Sequence, residues 1–265
     1  MKNILITGAA SGLGKALAQY YANLDFRVLV VDIQDAIGQE FVAKLQADGK
    51  HARYYHCDIG STDDIQQLYN NVSQEFNCLD ILINNAGIAA AGTIEETSID
   101  QWQRLLNLDL TSLFFTTKTF LPLLKQPNQA HVVNIASYAA LVNYPGMMAY
   151  NVAKAGVVAF SESLAVELSP YTIGVSVACP AFFKTNLLDS MPNASHKTKN
   201  YIANQMQKSD ITANHIAADI AKAIENNTFM VISHKQANRQ YSLKRLFPNA
   251  FLKKKIKFYK RFLKG

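Results

Sequence analysis

The chain of 265 residues is 49% hydrophobic and 17% charged, and its 14 Phe and 12 Tyr are enough to fill a core. This composition excludes a disordered, collagen-like or low-complexity chain. The net charge of +6 is uneven, because residues 1–225 contain 15 basic and 20 acidic side chains whereas residues 226–265 contain 11 basic and no acidic ones. A body of charge −5 with a tail of charge +11 argues against nucleic acid as a partner.

Short β-branched segments alternate along the chain with longer segments of helical periodicity. The predicted strands are Asn3–Thr7, Arg27–Asp32, Ala52–Cys57, Ile81–Asn84, His131–Ala136, Gly174–Ala178 and Phe229–Ser233. The predicted helices are Leu13–Leu24, Asp35–Asp48, Thr62–Phe76, Ser98–Leu121, Ala149–Leu168 and Thr212–Asn226, with Ser98 and Thr212 as N-caps. Almost wholly apolar strands belong in a parallel sheet covered on both faces, so the pattern predicts a doubly wound α/β fold.

Three further features limit the setting of the protein. The segment Lys184–Ser209 is polar and interrupted by Pro192, which predicts an irregular, lid-like stretch. The cysteines are widely spaced without a CxxC pair, and no apolar run is long enough for a signal peptide or a membrane span. We therefore expect a reduced, cytoplasmic protein without a bound metal.

A glycine-rich loop, TGAASGLG at residues 7–14, follows the first predicted strand and leads into a helix. Small residues there let backbone amides approach a pyrophosphate at the helix N-terminus. The spacing is neither the GxGxxG fingerprint nor a P-loop, so a tight turn without a ligand is the alternative.

Asp32 ends the second predicted strand, eighteen residues after Gly14. A carboxylate there accepts both adenosine ribose hydroxyls and repels a 2′-phosphate. No Lys or Arg stands at Ser11 or Ile33 to bind such a phosphate, which favours NAD(H) over NADP(H). The alternative is that Asp32 only caps the helix that follows.

Tyr150 and Lys154 are four residues apart in a predicted helix, so both project from one face. An ammonium group beside a phenol lowers the phenol pKa, and such a tyrosine exchanges a proton with an alcohol or carbonyl group. Ser137 closes the fifth predicted strand and is placed to hydrogen-bond the same oxygen. Without this context, the pair is an ordinary solvated helix face.

Together these motifs closely resemble the short-chain dehydrogenase/reductase family, single-domain type. They are TGxxxGxG at residues 7–14, Asp58, NNAG at 84–87, Ser137, YxxxK at 150–154, and Pro180 with Thr185, in the family's order over residues 1 to about 230. The resemblance implies a seven-stranded, three-layer αβα Rossmann-like fold and reversible hydride transfer at an alcohol carbon. It also implies a homo-oligomer, since related enzymes are commonly dimers or tetramers.

The resemblance assigns roles to individual residues. Tyr150 is the general acid/base, Lys154 binds the nicotinamide ribose and lowers the tyrosine pKa, and Ser137 orients the substrate oxygen. Thr185 matches the residue that holds the nicotinamide carboxamide. The residues expected to contact the cofactor are Gly8, Ser11, Gly12, Leu13, Gly14, Asp32, Asp58, Ile59, Asn85, Ala86, Gly87, Tyr150, Lys154, Pro180 and Thr185.

Two positions depart from the family pattern. The fourth catalytic residue of the family is an asparagine, and counting from Trp102 its place is taken by Asp109; Asn107 lies about 200° around the helix and cannot substitute. We expect Asp109 to favour the ammonium form of Lys154 and partly offset its effect on Tyr150. The second departure is Ala181, where the family usually has glycine.

The residues expected on the substrate side are strongly apolar and include no Arg or His. They are Tyr138, Leu141, Val142, Tyr144, Met147, Phe182, Phe183, Leu187, Leu188 and Met191. We therefore expect a small hydrophobic substrate, lipid-, sterol- or acyl-like, and a place in lipid metabolism. The alternative is that these side chains only pack the lid and the neighbouring helices.

The chain divides into a dehydrogenase/reductase domain, residues 1–238, and a basic amphipathic extension, residues 239–265. On a helical wheel one side carries Phe251, Leu252, Ile256, Tyr259, Phe262 and Leu263, and the opposite side carries Lys253, Lys254, Lys257, Lys260, Arg261 and Lys264. Such a helix suits peripheral contact with an anionic membrane, while docking on the body or on a second subunit is the alternative.

The sequence thus predicts an NAD(H)-dependent oxidoreductase for an apolar alcohol–carbonyl pair. A non-catalytic NAD-binding module at a membrane or partner surface is the alternative from another class, because Asp109 departs from the family. An enoyl reductase is disfavoured, since that group spaces its tyrosine and lysine more widely than Tyr150 and Lys154.

Overall fold

The structure is a computed structural model that describes residues 1–184, 191 and 196–264. Its strands are β1 (Asn3–Thr7), β2 (Arg27–Asp32), β3 (Ala52–His56), β4 (Ile81–Asn84), β5 (Ala130–Ile135), β6 (Ile173–Ala178) and β7 (Met230–Val231). Its helices are α1 (Gly12–Asn23), α2 (Asp35–Ala47), α3 (Thr62–Glu75), α4 (Ile99–Leu106), α5 (Ser112–Leu124), α6 (Tyr138–Val142), α7 (Met148–Leu168), α8 (His196–Gln207), α9 (Ala213–Glu225), α10 (Lys235–Leu246) and α11 (Pro248–Lys264).

In the described part of the chain, seven strands form one parallel sheet in the order β3-β2-β1-β4-β5-β6-β7. The chain winds outward from β1 in one direction, then returns and winds from β4 in the other. The predicted doubly wound fold is confirmed. The reversal between β1 and β4 opens a crevice at the carboxyl ends of these strands, where ligands bind in such folds.

Alternate residues of each strand point to opposite faces of the sheet, and both faces are covered. Ile4 and Ile6 of β1 are fully buried on the face that packs α1, α2 and α9. Leu5, between them, is fully buried on the face that packs α3, α5 and α7. This double burial explains why the strands read as continuous apolar runs.

Most predicted elements are confirmed, with ends that match or are shifted by up to three residues. Ser98 and Thr212 cap their helices as predicted, accepting from the amides of Gln101 and His215 respectively. The predicted helix Ser98–Leu121 is wrong in one respect, because a π-helical turn, Asn107–Thr111, separates α4 from α5.

Helices α6, α8 and α10 were not among the predicted elements. The expectation of an irregular stretch over Lys184–Ser209 is wrong for α8, while residues 185–190 and 192–195 lie outside the described residues. Helix α10 runs across the predicted boundary at residue 238. Among the described helices, none is both long and apolar enough to cross a bilayer.

Candidate active site

A cavity of about 690 Å³ lies along the carboxyl ends of β1, β2, β4 and β5. Its walls come from the loop after β1, the end of β2, the loops after β3 and β4, helix α6 and the first turns of α7. It therefore occupies the crevice at which the strand order reverses.

The glycine loop forms one wall of this cavity. Gly8 and Gly12 have φ angles of +65° and +55°, which side chains with a Cβ rarely adopt. A Cβ on Gly8 would lie 2.8 Å from the Ala86 Cα, so the loop packs directly on the turn after β4. The Asn85 side-chain amide fixes this approach by donating to the carbonyl oxygens of Thr7 and Gly8 at 2.9 and 3.1 Å. The wall thus presents backbone at the N-terminus of α1.

The Asp32 carboxylate connects β2 to the same loop. One oxygen accepts from the Ala10 amide at 2.9 Å, and the other accepts from the Gln34 amide at 3.0 Å. The bond to Gln34 is the local role that the capping interpretation expected. The bond to Ala10 also orders the glycine loop, and Asp32 lines the cavity while being only 6% exposed.

Asp58 and Ile59 line the cavity beyond β3. Asp58 is held in a turn by the Gly60 amide, which donates to its carboxylate at 2.8 Å. The Asn107 side chain donates to the Gly60 carbonyl at 3.1 Å. Asn107 therefore faces this end of the cavity, whereas Asp109 of the same π-helical turn is fully buried, as the helical geometry predicted.

The same cavity is also lined by Ser137, Tyr150 and Lys154. Ser137 follows β5 and caps α6, accepting a hydrogen bond from the Ala139 amide at 3.1 Å. Tyr150 and Lys154 lie on α7 and are only 6% and 4% exposed. The Lys154 ammonium donates to the Ile135 carbonyl at 3.2 Å and lies 5.9 Å from the centre of the Tyr150 ring.

Burial raises the pKa of the Tyr150 phenol, and the charge of Asp109 raises it further. The Lys154 ammonium and a hydrogen bond with the Ser137 side chain lower it in part. The phenol is therefore protonated in the ligand-free protein, and the two groups that stabilise its anion already lie near it.

Asp109 contacts Lys154 but is fully buried and does not line the cavity. One oxygen lies 3.2 Å from the Lys154 ammonium, and the other accepts from the Ile88 amide at 2.8 Å. Burial raises the pKa of the Asp109 carboxyl although Lys154 and the Ile88 amide oppose this. Burial acts on Lys154 in the opposite sense, but Asp109 and Tyr150 hold the pKa of its ammonium above the ordinary value. Lys154 therefore keeps its charge.

The structure brings most of the predicted cofactor residues to one cavity. Gly14 does not line it, because this residue packs beneath the carbonyl of Gly8, where a Cβ would collide with that oxygen. Asp109 is likewise behind the wall, and Thr185 lies outside the described residues. The remaining predicted contacts that line the cavity are Gly8, Ser11, Gly12, Leu13, Asp32, Asp58, Ile59, Asn85, Ala86, Gly87, Tyr150, Lys154 and Pro180.

The substrate side is apolar, with two corrections to the predicted set. Leu141 and Val142 do not line the cavity but pack with the tail, and Leu187 and Leu188 lie outside the described residues. Ile202 and Met206 were not predicted; their four-residue spacing on one face of α8 was the available signal. The described apolar lining is Tyr138, Ala139, Tyr144, Met147, Phe182, Phe183, Met191, Ile202 and Met206.

The residues present fit an extended dinucleotide. A glycine loop whose close packing leaves no room for a Cβ at Gly8 forms one wall. The hydrogen-bonded Asp32 carboxylate lies at the end of β2, and the buried Lys154 ammonium lies near the Tyr150 phenol. Among the described residues, no group of three or more His, Cys, Asp or Glu is placed to hold a metal ion. The fold and the cavity together place the protein in the doubly wound α/β class, in which ligands bind at this crevice.

Comparison with known proteins gives the family. The sequence model described as short chain dehydrogenase matches residues 2–196. The uncharacterized oxidoreductase YxjF of Bacillus subtilis is 33% identical over 196 residues, which are 74% of this chain and 76% of the relative. The 3-oxoacyl-[acyl-carrier-protein] reductase of Synechocystis is 31% identical over 188 residues, covering 71% of this chain and 76% of the relative.

A solved structure agrees with these relatives. A short chain dehydrogenase/reductase from Burkholderia phymatum in complex with NAD has 26% identity and a TM-score of 0.87, covering 92% of each chain. The chain therefore belongs to the short-chain dehydrogenase/reductase family. Its members are oxidoreductases that act on alcohol and carbonyl groups with a nicotinamide cofactor.

Proposed function

We propose that the protein interconverts an apolar alcohol and its carbonyl compound with NAD(H), using Tyr150 as the general acid/base. The observation that carries the proposal is the convergence of Ser137, Tyr150 and Lys154 on one wall of a cavity whose substrate side is apolar.

The proton transfer follows from the positions of these three residues. In the reductive direction Tyr150 gives its phenolic proton to the carbonyl oxygen, and in the oxidative direction it takes the proton from the alcohol. The Ser137 hydroxyl hydrogen-bonds the same oxygen and holds it against the phenol. The Lys154 ammonium stabilises the phenolate that remains, because opposite charges attract strongly in a wall from which water is excluded.

The bound nicotinamide cofactor supplies or accepts the hydride. The loop at Gly8 and Gly12 would hold its pyrophosphate, Asp32 its adenosine ribose, and Lys154 its nicotinamide ribose. Preference for NAD(H) is supported by the Asp32 carboxylate, which is already fixed by two amides and would repel a 2′-phosphate.

The apolar character of the substrate is supported by the lining of the cavity. Its described residues include only two cations, Lys154 and Arg104, and Arg104 lies one turn before Asn107, whose side chain reaches the Gly60 turn. Apart from these two, no described cation lines the cavity to bind a carboxylate or phosphate. The acyl-carrier-protein reductase among the relatives acts on a 3-oxoacyl group, in agreement with an acyl-like substrate.

The test is oxidation of NADH and NADPH by the purified protein over a panel of hydrophobic ketones and aldehydes, with small sugars and acids as comparison. We expect turnover of the apolar panel with NADH, a loss of about 10²–10⁴-fold in Tyr150→Phe, and little change in the exposed matched variant Tyr171→Phe. Turnover that survives Tyr150→Phe would contradict the mechanism. Tight NADH binding without turnover of any substrate would favour the non-catalytic module instead.

A further inference from the structure

The basic tail, here residues 235–264, is folded onto the body of the protein. Its helix α10 packs against α6, with the Tyr138 hydroxyl donating to the Gln240 side chain at 2.8 Å. The Lys244 ammonium donates to the Leu141 carbonyl at 2.6 Å. The Lys255 ammonium donates to the carbonyls of Val142 and Asn143 at 2.6 and 2.8 Å. These ammonium groups satisfy the carbonyl groups at the C-terminus of α6.

The docked tail lies beside the substrate side of the cavity. A chain of aromatic rings connects them: Tyr144 and Phe182, which line the cavity, have ring centres 5.2 Å apart, and Phe182 lies 6.5 Å from Tyr201 of α8. The Tyr201 ring then lies 6.4 Å from the ring of Phe258 in α11. A surface that contacts the tail is therefore close to the apolar part of the cavity.

Docking leaves a set of large apolar side chains facing away from the body. Leu246 is 71% exposed, Phe247 61%, Leu252 58% and Ile256 48%. Leu252 and Ile256 are four residues apart on α11 and share one face. Four large exposed apolar side chains within the eleven residues 246–256 make this segment a candidate interaction site. We name these four residues the apolar strip.

The side chains around the apolar strip are basic. Lys253, Lys254, Lys257, Lys260 and Arg261 are all exposed, and residues 226–265 contain no acidic side chain. A partner must therefore offer dense negative charge and an apolar interior at the same surface. Anionic lipid headgroups above acyl chains offer both.

We propose that the apolar strip inserts into an anionic lipid surface while Lys244 and Lys255 keep the tail docked on α6. The basic side chains around the strip then contact the headgroups, and the apolar part of the cavity is held close to the lipid. This proposal concerns binding, so it stands or falls separately from the proposed reaction. A second copy of the chain is a poorer partner, because its body carries 15 basic side chains besides 20 acidic ones. Such a body offers neither dense negative charge nor an acyl layer.

The test is sedimentation of the full chain with vesicles of phosphatidylcholine alone and of equal parts phosphatidylcholine and phosphatidylglycerol. We expect the wild type to bind the anionic vesicles at least about tenfold more tightly than the neutral ones, with an affinity that falls as salt rises. The double variant Leu252→Gln/Ile256→Gln should lose at least about tenfold of this affinity. The matched control Ile94→Gln/Val166→Gln removes two body side chains that are each 74% exposed and should bind as the wild type does.

Circular dichroism melting of each variant establishes that it is folded, and sedimentation equilibrium without vesicles gives its assembly state. Equal binding of neutral and anionic vesicles, or equal binding by the wild type and the strip variant, would overturn the proposal. A strip variant that changes the assembly state but not vesicle binding would assign the strip to a second copy and would also overturn it.

Discussion

The Lys154 ammonium lies 3.2 Å from the Asp109 carboxylate, and neither side chain is more than 5% exposed. The family pattern has a neutral asparagine at the position of Asp109. This protein instead places a carboxylate beside Lys154, the lysine that lies near Tyr150. The charge on Asp109 raises the pKa of Tyr150, because a second negative charge nearby destabilises the phenolate.

Replacing Asp109 with asparagine should therefore lower the pKa of Tyr150 while keeping an oxygen acceptor for the Ile88 amide. We expect Asp109→Asn to retain or raise activity. The rising limb of kcat/KM for alcohol oxidation, which requires the phenolate, should move to lower pH. The pH profile of wild type and variant measures this. A loss of several orders of magnitude at every pH would show that the carboxylate itself is needed.

Removing only the lysine should leave a buried carboxyl group without its cation. We expect Lys154→Met to lower the free energy of unfolding by about 3–5 kcal/mol, as for other broken buried pairs. Adding Asp109→Asn should restore most of this loss, because the remaining neutral amide tolerates burial better. Urea denaturation of the two single variants and the double variant measures the coupling. Additive losses would mean that the two groups do not act as a pair.

Charge at Asp32 should control the choice of cofactor. Asp32→Asn keeps one oxygen acceptor but removes the charge that repels a 2′-phosphate, so the ratio of kcat/KM for NADPH to that for NADH should rise by about tenfold or more. Asp35→Asn is the matched control, because this carboxylate is three residues away and does not line the cavity. An unchanged ratio in Asp32→Asn would contradict the assignment.

A Cβ at Gly8 should disturb both stability and dinucleotide binding. Gly8→Ala forces a left-handed backbone and a collision 2.8 Å from the Ala86 Cα. Gly49→Ala is the matched control, because Gly49 has a φ of +74° but nothing within 4 Å of the added atom. We expect the control to lose about 1–2 kcal/mol, and Gly8→Ala to lose about 1–3 kcal/mol more together with NADH affinity. Equal losses, measured by urea denaturation and NADH fluorescence, would mean that the close approach is unimportant.

Docking of the tail should depend on pH through Lys255. Burial, with the charge of Lys244, lowers the pKa of Lys255 from 10.5 to about 8. The docked tail therefore binds fewer protons than the free tail between these values, so docking becomes more favourable as pH rises from about 8 to 10.5. The ratio of tail hydrogen-exchange protection in the wild type to that in Lys255→Met should rise across this window. A flat ratio would contradict the buried position of the ammonium.

The sheet and the nucleotide end could be read from the sequence because local pattern determines them. The apolar runs around Ile4 and Leu29 predict buried strands, and the glycines after Thr7 predict a loop with backbone at its surface. Asp109, which was found by counting from Trp102, lies 3.2 Å from the Lys154 ammonium, although the π-helical turn that holds it has no sequence signature.

The position of the tail could not be read in the same way. On the helical wheel Lys255 falls within the arc of the apolar residues, and a wheel does not show that the partners of Lys244 and Lys255 are carbonyl groups of α6. Helix α6 itself has only five residues and was not predicted. A contact between two such elements depends on tertiary packing, which periodicity along one helix does not report.

The contacts of Lys244 and Lys255 have a consequence for biosynthesis. These lysines follow their carbonyl partners Leu141 and Val142 by 103 and 113 residues. On the ribosome, helix α6, which Ser137 caps, is translated long before the ammonium groups that complete its other end. The carboxyl end of α6 is therefore completed only after more than a hundred further residues have been translated.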